Sequence, residues 1–209
     1  MHCCEKGRSM IEMLGVLAIV GVLSIGGIAG YTQAMDKYKV TKLMDQLSQT
    51  VIGIRTMYLS ESSFKNLNTQ MLLDLGAIPS GQFDRSGSSI KIIHAFNGEL
   101  KIFISQMLPN DNAAFEIYAE GISEKACRFL ISSDWGQDPN SGFIGLYLGI
   151  GETITEPKLL NLSDYVPSDP ATGIYTSGMH EYALPLGPLD AQSVCHCPTS
   201  DCVIGLKYM

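Results

Sequence analysis

Charge of either sign is missing from Met13 to Ala29, where the only polar side chain is Ser24. A run this long with nothing to solvate excludes an ordinary surface helix and has the length of one that crosses a bilayer. Basic charge is scarce along the whole chain of 209 residues, in which 14 Lys and Arg face 21 Asp and Glu for a formal net charge of −7. Without a basic surface, nucleic-acid binding is not indicated. Histidine is nearly absent: beyond His2 there are only His94, His180 and His196, none in a helical metal pair. No Gly-x-Ser-x-Gly elbow occurs, so a Ser/His/Asp triad has no positive signal. Gly149-Ile150-Gly151 begins like a dinucleotide loop but lacks the third glycine and a following helix pattern, and reads as a turn. The expectation is a chain with no catalytic residues and no cofactor.

What is present begins just before the apolar run, with Gly7-Arg8-Ser9-Met10-Ile11-Glu12. A carboxylate one turn into such a helix is costly in hydrocarbon and marks either a function or a snorkelling position, with function favoured here. A short charged leader, a glycine, a hydroxyl residue two places later and a glutamate at the fifth place, all opening an apolar helix, resemble the N-terminus of type IV pilins and type II secretion pseudopilins. The matching stretch is GRSMIEMLGVLAIVGVLSIGGIAGY, and the resemblance covers about the first thirty residues. It implies a membrane-embedded peptidase that cuts after Gly7 and methylates the new amino group on Arg8. It also implies that Glu12 pairs with the terminal amine of a neighbouring subunit during assembly. The physical basis is that opposite charges attract strongly in a low-dielectric setting, whereas each unpaired one keeps its desolvation penalty. One departure stands out: the family usually starts its mature chain with Phe or Met, and Arg8 takes that place here.

The resemblance sets the expected architecture. Residues 1–7 are a leader peptide, 8–31 a transmembrane and assembly helix, 32–59 its amphipathic continuation, and 60–209 a globular α/β head. The fold class is α+β, a long helix packed on an antiparallel sheet. The implied function is a structural subunit that polymerises with its own copies, with the prepilin peptidase and the inner-membrane assembly machinery as partners. It would sit in the inner membrane first, then in an extracellular pilus or periplasmic pseudopilus. Alternatives are a minor pseudopilin of a type II secretion system and a membrane-anchored periplasmic binding module or enzyme. A cleaved signal peptide fits less well, since the run ends in IAGYTQAM and continues as a helical pattern. Lys6 and Arg8 flank one end of the run and Lys37, Lys39 and Lys42 the other. Taken alone, this charge balance inverts the chain, and the leader resemblance and the cysteines outweigh it.

Past Tyr31 the pattern changes character. Val40, Leu43, Met44, Leu47, Val51, Ile54 and Tyr58 recur at spacings of three and four, predicting an amphipathic stripe on a helix from Ser9 to about Leu59. At 1.5 Å per residue such a helix runs ~75 Å. Gly26, Gly27 and Gly30 weaken it near the outer end of the apolar half, each by up to ~1 kcal/mol relative to alanine. They serve either local melting, which related pilins show on entering a filament, or close packing through the Gly26-xxx-Gly30 spacing. Residues 60–89 read as a linker with a short helix at Thr69 to Leu75. Phe96-Asn97-Gly98 between β-rich runs, Ile90 to Ala95 and Glu99 to Met107, is a hairpin signal. A strand follows at Phe115 to Ala119, then a helix capped by Ser123 and ending near Trp135-Gly136. Further strands are predicted at Phe143 to Ile150, Tyr182 to Leu186 and Val203 to Tyr208, with turns around Pro139-Asn140 and Pro167 to Gly173.

Six cysteines fall in two groups, Cys3 and Cys4 in the leader and Cys127, Cys195, Cys197 and Cys202 in the head. In an oxidising compartment the head group predicts two disulfides. Cys195 and Cys197 are too close for an easy mutual bond, so Cys127 is expected to pair with one of them and Cys202 with the other. A cysteine-bearing helix inserted after the sheet's early strands, bonded to the chain's end, resembles the type IVb subgroup of pilins. Zinc is the competing use of Cys195-His196-Cys197 and Cys202, but three adjacent residues turn poorly to one ion. Asp164, Asp169 and Asp190 lie in turn-rich segments without regular calcium-ligand spacing, so no metal is expected.

Overall fold

A computed structural model describes residues 10–78, 83–85, 90–107, 110–136, 141–159, 174–176, 184–197 and 201–209. Gly7, Arg8 and Ser9 lie outside them, as do the turns expected at Pro139-Asn140 and Pro167 to Gly173. The first helix, α1 (Met10–Met57), contains no proline and runs unbroken. The chain divides into two compact units, residues 1–39 and residues 40–209. In the first unit every described side chain from Met10 to Ala34 is exposed.

In the second unit the rest of α1 buries Val40, Leu43, Leu47, Val51 and Ile54 at the expected three-and-four spacing. Full burial of each such side chain contributes about 1.5 to 3 kcal/mol. Two polar residues share this stripe. The Thr50 hydroxyl donates to the Gln46 carbonyl at 2.8 Å, and the Gln46 side-chain oxygen accepts the Ala95 amide at 3.0 Å. The helix is thereby tied to the hairpin that follows. Gly53 is needed for close approach, because a Cβ there would meet the Ala77 carbonyl oxygen at 2.7 Å. Arg55, in the last turn, donates to the Ser141 carbonyl and favours the helix's negative end.

After α1 come α2 (Thr69–Asp74), β1 (Phe83–Asp84), β2 (Lys91–Ile93), β3 (Glu99–Met107), β4 (Asn110–Ile122), α3 (Glu124–Ile131), β5 (Phe143–Ile150), β6 (Ile174–Thr176), α4 (Pro188–Val194) and β7 (Cys202–Tyr208). The strands form one sheet in the order β1-β2-β3-β4-β7-β5-β6, every neighbouring pair antiparallel. The final strand thus lies inside the sheet, between β4 and β5. Alternation along the strands sorts the faces: Phe115, Ile117 and Ala119 of β4, Leu146 and Leu148 of β5, and Ile204 and Leu206 of β7 join the stripe of α1 in one core.

Local chemistry accounts for the ends. Asn68 caps α2 by accepting the Met71 amide at 2.9 Å, and Ser123 caps α3 by accepting the Ala126 amide at 3.3 Å. Pro188 opens α4, where its missing N–H does no harm. The hairpin between β2 and β3 turns through Ala95-Phe96-Asn97, not through a two-residue Asn97-Gly98 turn. The Asn97 amide donates to the His94 carbonyl at 2.8 Å, and Asn97 takes φ 64°. That is a three-residue loop with asparagine in the left-handed position. Gly98 is required for another reason, since a Cβ there would collide with the Glu120 carbonyl and the His94 ring.

Two expected boundaries are corrected. Helix α3 stops at Ile131 instead of near Trp135-Gly136, because the Trp135 indole takes the Leu130 carbonyl at 2.7 Å and the Ser133 hydroxyl takes that of Phe129 at 2.7 Å. The segment expected as a strand at Tyr182 to Leu186 is described only from Leu184, where it bends. Pro185 offers no amide to a ladder, and the Leu186 amide donates to Ile131 of α3 instead.

Candidate functional site

The candidate site on α1 is its first unit, whose exposed face is almost wholly apolar: Met10, Ile11, Leu14, Leu17, Val22, Leu23 and Ile25 are each more than 60% exposed. The helix is long and apolar enough to cross a membrane. Glu12 stands exposed in its first turn. Ser24, the single polar residue of the run, turns its hydroxyl inward to the Val20 carbonyl at 2.7 Å, so it adds no unsatisfied donor to the surface. Gly26, Gly27 and Gly30 are all helical, and a Cβ at any of them would meet nothing within 4 Å. Among the described residues nothing demands glycine there.

At the other end of the chain Cys127 is bonded to Cys195 and Cys197 to Cys202, with Cα separations of 5.9 and 5.6 Å. Cys127 rides on α3 and Cys202 begins β7, so the bonds fasten the α3–α4 layer to the centre of the sheet.

The face of the sheet away from α1 holds what sequence reasoning missed. Register places Glu116 of β4 directly opposite Lys207 of β7, and both are buried. Their charged atoms are 3.6 Å apart. The Glu116 carboxylate also accepts the Ser105 and Tyr118 hydroxyls and the amides of Lys158 and Leu159 at 3.0 and 3.2 Å. Lys207 donates to the Gln106 carbonyl at 2.7 Å and to that of Leu159. Burial pushes the Lys207 pKa down, against the pull of Glu116, and pushes that of Tyr118 up. A second pair repeats the device: Lys101 meets Glu120 at 2.9 Å, Glu120 accepts the Ile154 amide at 2.5 Å, and Lys101 donates to the Ile154 carbonyl at 2.9 Å. Residues 154–159 are thus strapped over Phe103, Tyr118 and Tyr147. Alternation in AAFEIYAE shows that Glu116 and Glu120 share a face, but it gives no sign that this face is covered.

The enzyme alternative is tested by where His94 and the carboxylates lie. His94 is buried, with Nε2 donating to the Glu120 carbonyl at 2.6 Å and Nδ1 accepting the Phe96 amide at 3.1 Å. Both ring nitrogens are committed to backbone, and burial holds its pKa below the usual histidine value. A concavity of about 370 Å³ gathers Glu99, Glu120, Glu152 and Asp201, and among the described residues no histidine lines it. Glu99 faces Lys91 at 3.5 Å and Glu152 accepts the Tyr147 hydroxyl. His196 is exposed and His180 lies outside the described residues. Asp164 and Asp169 also lie outside them, and Asp190 occupies the first turn of α4.

The fold matches that of a solved structure. Over 82% of this chain and 99% of the other, it superposes on TcpA, a type IV pilin from the Vibrio cholerae El Tor biotype, with a TM-score of 0.54 and 16% identity. The chain has the type IV pilin fold. Sequence relatives are pilins as well. The major structural subunit of the bundle-forming pilus of Escherichia coli O127:H6 (strain E2348/69 / EPEC) is 31% identical over 114 residues, 54% of this chain and 56% of that protein. The toxin coregulated pilin of Vibrio cholerae is 26% identical over 133 residues, 62% of this chain and 58% of that one. The chain thus spans little more than half the length of these pilin relatives. No family model matches the sequence.

Proposed function

We propose that this chain is a structural subunit of a type IV pilus-like filament, held in the inner membrane by α1 and then polymerised through it. The observation that carries the reading is the bare apolar face of α1 on a chain with the pilin fold. A helix surface of that kind is stable in lipid or in a bundle of identical helices, and in little else. Before assembly the peptidase cuts after Gly7 and methylates Arg8, and the assembly machinery draws the subunit out of the membrane. In the filament Glu12 lies beside the terminal amine of a neighbouring copy, which offsets the cost of taking its charge into the bundle.

Substituting Glu12→Ala tests this directly. The variant is expected to insert and be cleaved normally but to yield few filaments by shearing and electron microscopy. Normal yield would remove Glu12 from the assembly step. Replacing Gly7 by a bulkier residue is expected to leave the leader attached, read by intact mass.

A further inference from the structure

The two disulfides lie side by side. The Sγ atoms of Cys127, Cys197 and Cys202 are all within 4.8 Å of one another, and that of Cys195 is bonded to that of Cys127. All four residues are buried, the most open being Cys197 at 4%. Four thiolates on one zinc ion, each at about 2.3 Å, hold their sulfurs ~3.8 Å apart in a tetrahedron. In the oxidised head the sulfurs of each pair are bonded, and reduction frees them to part toward that spacing around one ion.

The backbones of Cys127, Cys195 and Cys202 are placed by structure that does not need the S–S bonds. The Cys127 amide donates to Ser123 at 2.9 Å inside α3, and the Cys195 amide to Ala191 at 3.1 Å at the end of α4. Cys202 sits in the ladder between Ile122 and Ile150. The spacing argument against zinc counted Cys195, His196 and Cys197 as three adjacent ligands. The fold replaces exposed His196 with buried Cys127, which removes that objection.

We propose that the reduced chain carries a closed tetrathiolate metal site, Cys127, Cys195, Cys197 and Cys202, for Zn2+ or another soft divalent ion. Reduction of both disulfides by a thiol or phosphine supplies four electrons and gives four thiols. The ion then forms four metal–sulfur bonds, displacing up to four protons to solvent, and no electron moves in that step. Oxidation of the thiolates by a disulfide-bearing oxidant, which accepts the four electrons, restores both S–S bonds and releases the ion. The site fills before the head is oxidised and empties when the cysteines pair.

Co2+ is the probe. Full-length chain in detergent micelles, reduced with a phosphine, is expected to bind a single equivalent of Co2+ with the visible spectrum of tetrahedral tetrathiolate cobalt, bleached by Zn2+. The oxidised chain is expected to give no such spectrum. Cys127→Ser and Cys202→Ser should each shift the bands and weaken binding about tenfold or more, since even outer-shell losses reach that size. Where reduction unfolds the head, Zn2+ should restore the buried environment of Trp135, read by its fluorescence. The proposal is overturned if the reduced chain gives only the spectrum of aqueous Co2+, if the serine variants bind like the parent, or if Zn2+ leaves an unfolded reduced head unfolded.

Discussion

Replacing Lys207 by methionine keeps most of the side chain's volume and removes its charge, isolating the Glu116 carboxylate in the sheet. Glu116 would retain its four donors, the hydroxyls of Ser105 and Tyr118 and the amides of Lys158 and Leu159, but would lose the ammonium paired with its charge. Breaking a buried pair in this way typically costs about 3 to 5 kcal/mol. For a unit of this size that lowers Tm by about 6 to 20 °C. The assay is urea unfolding of the full chain in detergent, followed by the fluorescence of the single tryptophan, Trp135, which is 7% exposed and lies in the head. Adding Glu116→Gln to Lys207→Met neutralises the stranded charge and keeps an oxygen for the two amides. The double variant should lose only about 1 to 2 kcal/mol. The reasoning fails if Lys207→Met costs less than about 1 kcal/mol or if the double variant is no more stable than the single one.

Other perturbations have expected outcomes of their own. Because burial lowers the His94 pKa, the folded head binds fewer protons at this site than the unfolded chain. Stability should therefore fall as pH drops below about 6.5 and level off beneath the folded pKa; a His94→Gln variant should have a flatter Tm profile from pH 7.5 to 5.5. The separations of 68 and 5 residues predict that opening Cys127–Cys195 by paired serine substitutions costs about 4 kcal/mol, against about 2 for Cys197–Cys202, by the chain-entropy relation. Equal losses in urea unfolding would count against that ranking. Alanine at Gly26 and Gly27 should raise helicity in micelles by up to ~1 kcal/mol per site, since each Cβ meets open space within the subunit. A fall in filament yield despite the stronger helix would place the glycines' role between subunits.

Helix α1 was legible because two long-range signals coincide in it, an uncharged run and then a three-and-four spacing that needs no partner to be seen. Ser123 was equally plain, as a capping residue followed by a mixed apolar pattern. The short elements were not. β1 and β6 are two and three residues long, too brief for any alternation to register, and the ladder alone makes them strands. Helix α4 hides in PLDAQSV, where Pro188 suggests a turn until it is recognised as a first helical residue. Glu116 and Lys207 read as solvent-facing positions of half-buried strands, and only the aperiodic strap at 154–159 makes them interior. Asn97 marked the hairpin but not its loop length, since the same residue serves a two-residue turn or the left-handed end of a three-residue one.

Placing β7 between β4 and β5 has a consequence for how the head comes into being. Both ladders of this strand are long-range in sequence, since β4 ends at Ile122 and β7 begins only at Cys202, so the two flanks of the sheet join only once β7 has been made. A chain without β7 lacks its keystone and one partner of the Cys197–Cys202 bond. Strand β7 thus acts as a clasp: the two flanks of the sheet meet only through it.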